Sequence, residues 1–189
     1  MNAIADRLHK IVDECLPDTV RAEIIDGELI VNAMTPLIGH ALTISGLRRA
    51  ISSVDDLIAL ERTTVSLPAT EEEYVPDLAY YRFDELDPDV WLNPASALVM
   101  AVEVVYGRDD SNAARRDRKD KARSYAASGV PIYLLVDQPR KQVVLHSEPH
   151  YVADAKGNRY SRIVFVTYGE PLELPEPFSR TIDTSIFGD

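Results

Sequence analysis

The chain has 189 residues, 46% apolar and 27% charged, and its 31 acidic residues against 20 lysines and arginines leave a net charge of −11. A chain of this length buries enough surface to hold a core by itself, and the single cysteine, Cys15, excludes a disulfide framework and any cysteine-built metal centre. No apolar run reaches the roughly 18 residues of a membrane span, and the acidity excludes a protein that coats nucleic acid or an anionic membrane through its overall field.

The first residues, MNAIADRLHK, lack the apolar stretch of a signal peptide, so a cytoplasmic location is expected. Ile4, Leu8, Ile11, Val12 and Cys15 recur at spacings of three and four, which predicts a helix over 3–16 closed by Pro17. Two short apolar runs around Asp26-Gly27 predict a β-hairpin over 22–31 with a type I′ turn. After Pro36, the residues Leu37, Ile38, Ala41, Leu42, Ile44, Leu47 and Ile51 suit one face of a helix over 37–51.

Strands are expected over 62–67 and 74–81, separated by a polar loop at Glu71-Glu72-Glu73, and an exposed loop over 84–94. The segment 97–105 is almost continuously apolar and β-branched, as in a strand covered on both faces. A helix over 112–128 follows, capped by Gly129 and stopped by Pro131. Further strands are expected at 132–137, 142–146 and 163–168. Strand, helix and strand in that order imply a crossover with parallel pairing, so the fold class is α/β with a mixed sheet.

One charge interrupts the apolar strand at 97–105. A carboxylate there, Glu103, is costly unless it is paired or binds a metal, and an outward-facing ion pair with an arginine stands beside a functional role. Asp77 follows Pro76 at the start of a strand. On the helix at 112–128, Asp117, Lys121 and Tyr125 fall four residues apart and share a face, the pattern of either a site or a solvated salt-bridged surface. Between Gly107 and Arg123, seven cations outnumber four acids. Arg115, Arg116, Arg118 and Lys119 are therefore the candidate contacts to a phosphate backbone, the alternative being a helix laced with ion pairs.

These residues resemble the PD-(D/E)XK nuclease superfamily and, within it, the restriction-endonuclease-like Uma-two family of bacterial proteins. The resemblance runs from about Ala22 to Phe187. It is carried by the hairpin Glu23-Ile-Ile-Asp-Gly-Glu28, by His40, Pro76-Asp77-Leu-Ala, Val102-Glu103-Val-Val and Asp117-Arg-Lys-Asp-Lys121-Ala-Arg-Ser-Tyr125-Ala, and by Gly129-Val-Pro-Ile-Tyr-Leu-Leu-Val-Asp137. It implies a mixed β-sheet flanked by helices, in one domain spanning 1–189. A nuclease core would run over about 22–146, with the helix 3–16 before it and strands over 160–187 after it.

The resemblance also implies a site in which Asp77 and Glu103, with the backbone carbonyl of Val104, bind Mg²⁺ or Mn²⁺. The superfamily lysine two residues after the glutamate is replaced here by Val105, so the family's helix lysine, Lys121, takes its place. Glu23, Glu28 and His40 are candidates for a supporting acid, the two carboxylates ranked above the histidine, with Asp117 and Tyr125 beside the lysine. Two carboxylates suffice for a hard dication that keeps several waters. Such an ion polarises a phosphate and acidifies water, while a lysine offsets charge at phosphorus. The implied activity is hydrolysis of phosphodiesters in nucleic acid, DNA foremost, weakly bound because of the −11 charge. A homodimer, common among soluble proteins, would supply two sites for a double-strand cut. The turn Tyr106-Gly107-Arg108-Asp109-Asp110-Ser111 departs from the family's Val-Ser-Pro-Ser-like turn and motivates the alternative of an inactive nuclease-fold binding or assembly module.

Overall fold

A computed structural model of the chain describes residues 14, 20–33, 37–51, 54–150, 157 and 159–188. The helix expected over 3–16, with Cys15, lies outside the described residues except for Glu14, which is helical. The hairpin forms as the Asp-Gly pair predicts: β1 (Val20–Ile25) pairs antiparallel with β2 (Glu28–Ala33). Asp26 and Gly27 both take positive φ, 50° and 76°, as a type I′ turn requires.

Helix α1 (Ile38–Ile51) follows, then β3 (Leu57–Leu60), β4 (Thr64–Leu67), β5 (Glu72–Tyr74) and β6 (Leu78–Arg82). Two expectations are corrected here. Glu72 and Glu73 are not an exposed loop but buried residues of β5, where the Glu72 carboxylate accepts the Asp26 amide at 2.8 Å. The strand expected over 74–81 is two strands in two different sheets. Pro76 has no N–H to give a ladder, so pairing stops there and the chain crosses from one sheet to the other. The loop expected over 84–94 also contains a short strand, β7 (Leu92–Pro94), which runs parallel to β4 and buries Asn93 against the Thr64 carbonyl.

Strand β8 (Leu98–Val105) is buried at every position, as its composition predicts. A helical run then spans α2 (Asn112–Arg115), a π-helical segment (Arg116–Asp120) and α3 (Lys121–Ala127). The Ser111 side chain caps its start by accepting the Ala114 amide, and Gly129 at φ 75° follows its end. The chain returns as β9 (Ile132–Asp137), parallel to β8, so the predicted crossover is present. Strands β10 (Gln142–His150), β11 (Arg159–Thr167), β12 (Pro171–Leu174) and β13 (Arg180–Asp183) complete the fold.

A six-stranded mixed sheet, β11-β10-β9-β8-β6-β3, forms the centre. It continues past residue 146 through β10 and β11. A five-stranded sheet, β2-β1-β5-β4-β7, and the β12-β13 ribbon pack around it. Alternation along β8 sends Val102 and Val104 to one face, where Leu47 and Ile51 of α1 and Ile182 of the ribbon meet them. Ala101, Glu103 and Val105 point to the other face. There Ala122, Tyr125 and Ala126 of α3 and Ile25, Val65 and Tyr74 of the five-stranded sheet form a second core.

The apolar face expected on α1 is narrower than its sequence suggests. Ile44, Leu47 and Ile51 are buried with Thr43, whereas Leu37, Ile38 and Leu42 remain exposed. The central sheet meets the helix along one stripe, and the helix's first turn overhangs it.

Candidate active site

The site lies where the two large sheets meet the helical run. Strand β1 presents Arg21 and Glu23, two residues apart and therefore on one face. The break after Pro76 puts Asp77 at the crossing between β5 and β6. From β8 comes Glu103, and the first residue of α3 is Lys121. Sequence positions spread over 100 residues thus converge through tertiary pairing.

Lys121 is 1% exposed, and its ammonium donates to Glu103 Oε1 at 2.7 Å and to Glu23 Oε1 at 2.9 Å. Asp117 Oδ1 lies 3.5 Å from the same nitrogen, one turn back along the helix. The Tyr74 ring sits beneath it, 5.4 Å from nitrogen to centroid. Glu23 Oε1 also accepts the Val75 amide at 3.0 Å. Asp77 is held on both oxygens: Arg21 donates to Oδ1 at 3.1 Å, the Val104 amide donates to Oδ2 at 2.9 Å, and His40 Nε2 lies 3.1 Å from Oδ2. The Tyr133 hydroxyl donates to the Asp117 carbonyl at 2.6 Å and so fixes the π-helical segment over the sheet. Irregular helical turns of this kind recur at functional sites, because they reset which side chains face inward.

The electrostatics are unbalanced. Among the described residues, four carboxylates, Glu23, Asp77, Glu103 and Asp117, face two permanent cations, Arg21 and Lys121. Burial raises the Glu103 pKa well above the ordinary carboxylate range. Lys121 opposes that rise, and the charges of Asp77, Asp117 and Glu23 add to it. Burial disfavours the Lys121 ammonium, but Glu103, Glu23 and Asp117 more than compensate and push its pKa up. At Asp77 burial is outweighed by the hydrogen bond and charge of His40, by Arg21 and by the Val104 amide, which hold the carboxyl at about 2.

Most of the expected residues are brought together and some are not. Asp77, Glu103, Lys121, Glu23 and Asp117 form the cluster, and His40 joins it through Asp77. Tyr125 is buried and packs edge-on to Tyr74 at 5.4 Å, with no hydrogen-bond partner for its hydroxyl. Glu28 is exposed beside the hairpin turn, opposite Ile25, so the ranking of Glu28 above His40 is reversed. The reason is registry: Glu28 lies at the far end of the hairpin, five residues along from Glu23. Val104 touches Asp77 through its amide. Arg118 is not a free phosphate contact either. Its guanidinium forks onto Asp137 at 2.7 and 2.8 Å and reaches Asp109 at 2.6 Å. Arg115 and Lys119 are exposed and Arg116 is half-buried. Arg21 was missed by sequence reasoning, although its position two residues before Glu23 on the same strand face was the available signal.

The donor set suits a hard dication. Its atoms are carboxylate oxygens, and the cluster's excess negative charge is what a divalent ion would neutralise. Among the described residues no three His, Cys, Asp or Glu side chains are grouped as a ready ion cage. Magnesium needs none, since one or two carboxylates with retained waters bind it.

A family model, Uma2, described as "Putative restriction endonuclease", matches residues 7–185. The chain belongs to the Uma2 family. The resemblance seen in the Asp77, Glu103 and Lys121 motifs therefore holds over nearly its whole length. The fold of this Uma2 chain is shared with a solved structure from Anabaena variabilis, described as a "putative nuclease belonging to DUF820". The two superpose with a TM-score of 0.67 at 12% identity, over 99% of this chain and 97% of that one. The mixed α/β, nuclease-like fold class is as expected. Comparison with curated proteins finds no match. Among the described residues no helix is long and apolar enough to cross a membrane.

Proposed function

We propose that the chain is a divalent-metal-dependent endonuclease that hydrolyses phosphodiester bonds, with DNA as its substrate. The observation that carries this reading is the buried Glu103–Lys121–Glu23 cluster beside Asp77, which gathers more carboxylates than its cations balance. Asp77 and Glu103 would hold Mg²⁺ or Mn²⁺, with the Val104 backbone at its flank. When bound, the ion supplies Lewis acidity to the phosphate and makes water a better nucleophile at neutral pH.

The remaining roles belong to the chain. Lys121, clamped by two glutamates, is preorganised to face developing negative charge at phosphorus and to orient the attacking water. Asp117, 3.5 Å from the same ammonium, adds a third negative charge beside it. His40 and Arg21 fix Asp77 and keep it ionised. Tyr125 and Tyr74 exclude water from beneath the lysine. Attack forms the bond from water oxygen to phosphorus, the water giving up a proton to solvent, and breaks the bond from phosphorus to the leaving sugar oxygen, which takes up a proton from solvent.

The alternative, an inactive nuclease-fold module, would treat the cluster as a structural ion network, and its surplus of acids argues against that. Nicking of supercoiled plasmid in Mg²⁺ at low salt tests the proposal. Wild-type protein is expected to nick, while Asp77→Ala, Glu103→Ala and Lys121→Ala each fail. Equal nicking by all three purified variants would overturn it.

A further inference from the structure

Beyond the carboxylate cluster, on the outer side of the helical run, a groove of about 530 Å³ opens between the π-helical segment and strands β9, β10 and β11. Its floor is apolar: Leu135, Val144, Ile163 and Phe165 line it. The pairing of β10 with β11 sets Phe165 beside Val144 and Ile163 beside His146. Phe165 is 66% exposed and Ile163 is 47% exposed, whereas their cross-strand neighbours are buried. A large aromatic is thus displayed on a rigid strand.

The rim is charged, and most of its charges cancel. Asp137 and Asp109 are taken by Arg118, with Arg140 also on Asp109, and Asp110 pairs with Arg108. Among the described residues that leaves Arg115 and Lys119 as the surplus, four residues apart on the helical run and both exposed. The one ion pair found for Arg115, with Asp120, is long at 3.9 Å. In the wall, His146 is buried with no partner for Nε2 among the described residues, and burial lowers its pKa to about 4, so it adds no charge at neutral pH.

We propose that this groove is a base-binding subsite, in which an unpaired nucleobase of the substrate strand stacks on Phe165 while Arg115 and Lys119 meet the adjoining phosphates. The proposal rests on the nuclease reading and adds to it a preference for single-stranded or locally unpaired nucleic acid. An exposed aromatic flanked by cations is how sequence-tolerant single-strand binding is built. Lys119 and Lys121 lie two residues apart on opposite sides of one helical run. In the proposed arrangement a strand crosses this run, with one phosphate toward the carboxylate cluster and a base on Phe165. A second copy of the chain fits less well. A two-fold contact puts the same patch, with its surplus of positive charge, on both partners, and two such surfaces repel.

The test is fluorescence anisotropy of labelled oligonucleotides with the full-length protein in chelator at low salt, where no cleavage is read. Probes are a thymidine decamer, the same backbone without bases, and a blunt duplex of equal length. The decamer is expected to bind more tightly than the other two. Phe165→Ala should weaken it by about tenfold, Phe165→Trp should restore it, and Lys119→Ala should reduce the salt dependence. Equal affinity for the decamer and its baseless analogue would overturn the proposal. So would unchanged decamer binding by Phe165→Ala accompanied by a shift in sedimentation, which would give the surface to a second copy. Base-dependent binding by a wild-type protein that never nicks plasmid would overturn the nuclease reading and leave this subsite standing.

Discussion

On the inner side of the helical run, Lys121 is shared by Glu103, Glu23 and Asp117; on the outer side, Arg118 forks onto Asp137 and also reaches Asp109. Both networks bury a carboxylate of the central sheet completely, Glu103 on β8 and Asp137 on β9. They differ in balance and in geometry. Asp137 meets a planar guanidinium on both oxygens, an arrangement that satisfies it without further help. Glu103 meets one ammonium that is already claimed by other acids, and its pKa is raised by burial and by those neighbours. Ion pairs that hold a fold together are neutralised from within. An excess of buried carboxylate is costly to folding, and in the function proposed above a bound dication balances it.

The contrast predicts opposite responses to the same kind of substitution. Glu103→Gln removes a surplus charge, so nicking should fall on the order of 10³-fold while the melting temperature in chelator stays equal or rises. A large loss of stability in Glu103→Gln would show that the carboxylate is structural. Asp137→Asn breaks the buried fork and leaves the Arg118 guanidinium with Asp109 alone, and should cost about 3–5 kcal/mol, read from urea midpoints. A silent Asp137→Asn would break the distinction from the other side.

The smallest effect comes from a group outside both networks. His146 is buried, and its pKa is depressed from 6.5 to about 4, so the folded state binds fewer protons than the unfolded state between those values. Its contribution is fully present above pH 6.5 and is lost as pH falls through about 4, worth about 3 kcal/mol across that window. Asp77, held at about 2, loses its contribution only at still lower pH, below its ordinary 3.8. His146→Leu should therefore flatten the stability profile between pH 7 and 4 and leave the steeper acid limb in place. An unchanged slope in that window would exclude His146 as its source.

Much of the fold was legible because short-range patterns decided it. Asp26-Gly27 specified the hairpin, the apolar run ending at Val105 specified a doubly covered strand, and Gly129 marked the helix end. Asp77, Glu103 and Lys121 were singled out through the family resemblance, and the fold brings all three into one cluster. Other features depended on pairing that no local pattern carries. Glu72 and Glu73 look like a surface turn until β1 and β4 pair on either side of them. The π-helical turn at Arg116–Asp120 has no composition signal, and that Lys121 rather than Lys119 faces in shows only once the run is packed on the sheet. Arg118 was indistinguishable from its basic neighbours until β9 brought Asp137 beneath it.

The central claim, that the carboxylate cluster is built to receive a dication, is tested most directly by calorimetric titration of the purified protein with Mn²⁺. The account predicts saturable uptake of Mn²⁺ by the wild-type chain that is lost in Glu103→Gln and in Asp77→Asn. A wild-type chain that takes up no Mn²⁺, or one whose uptake is unaffected by either substitution, would contradict it.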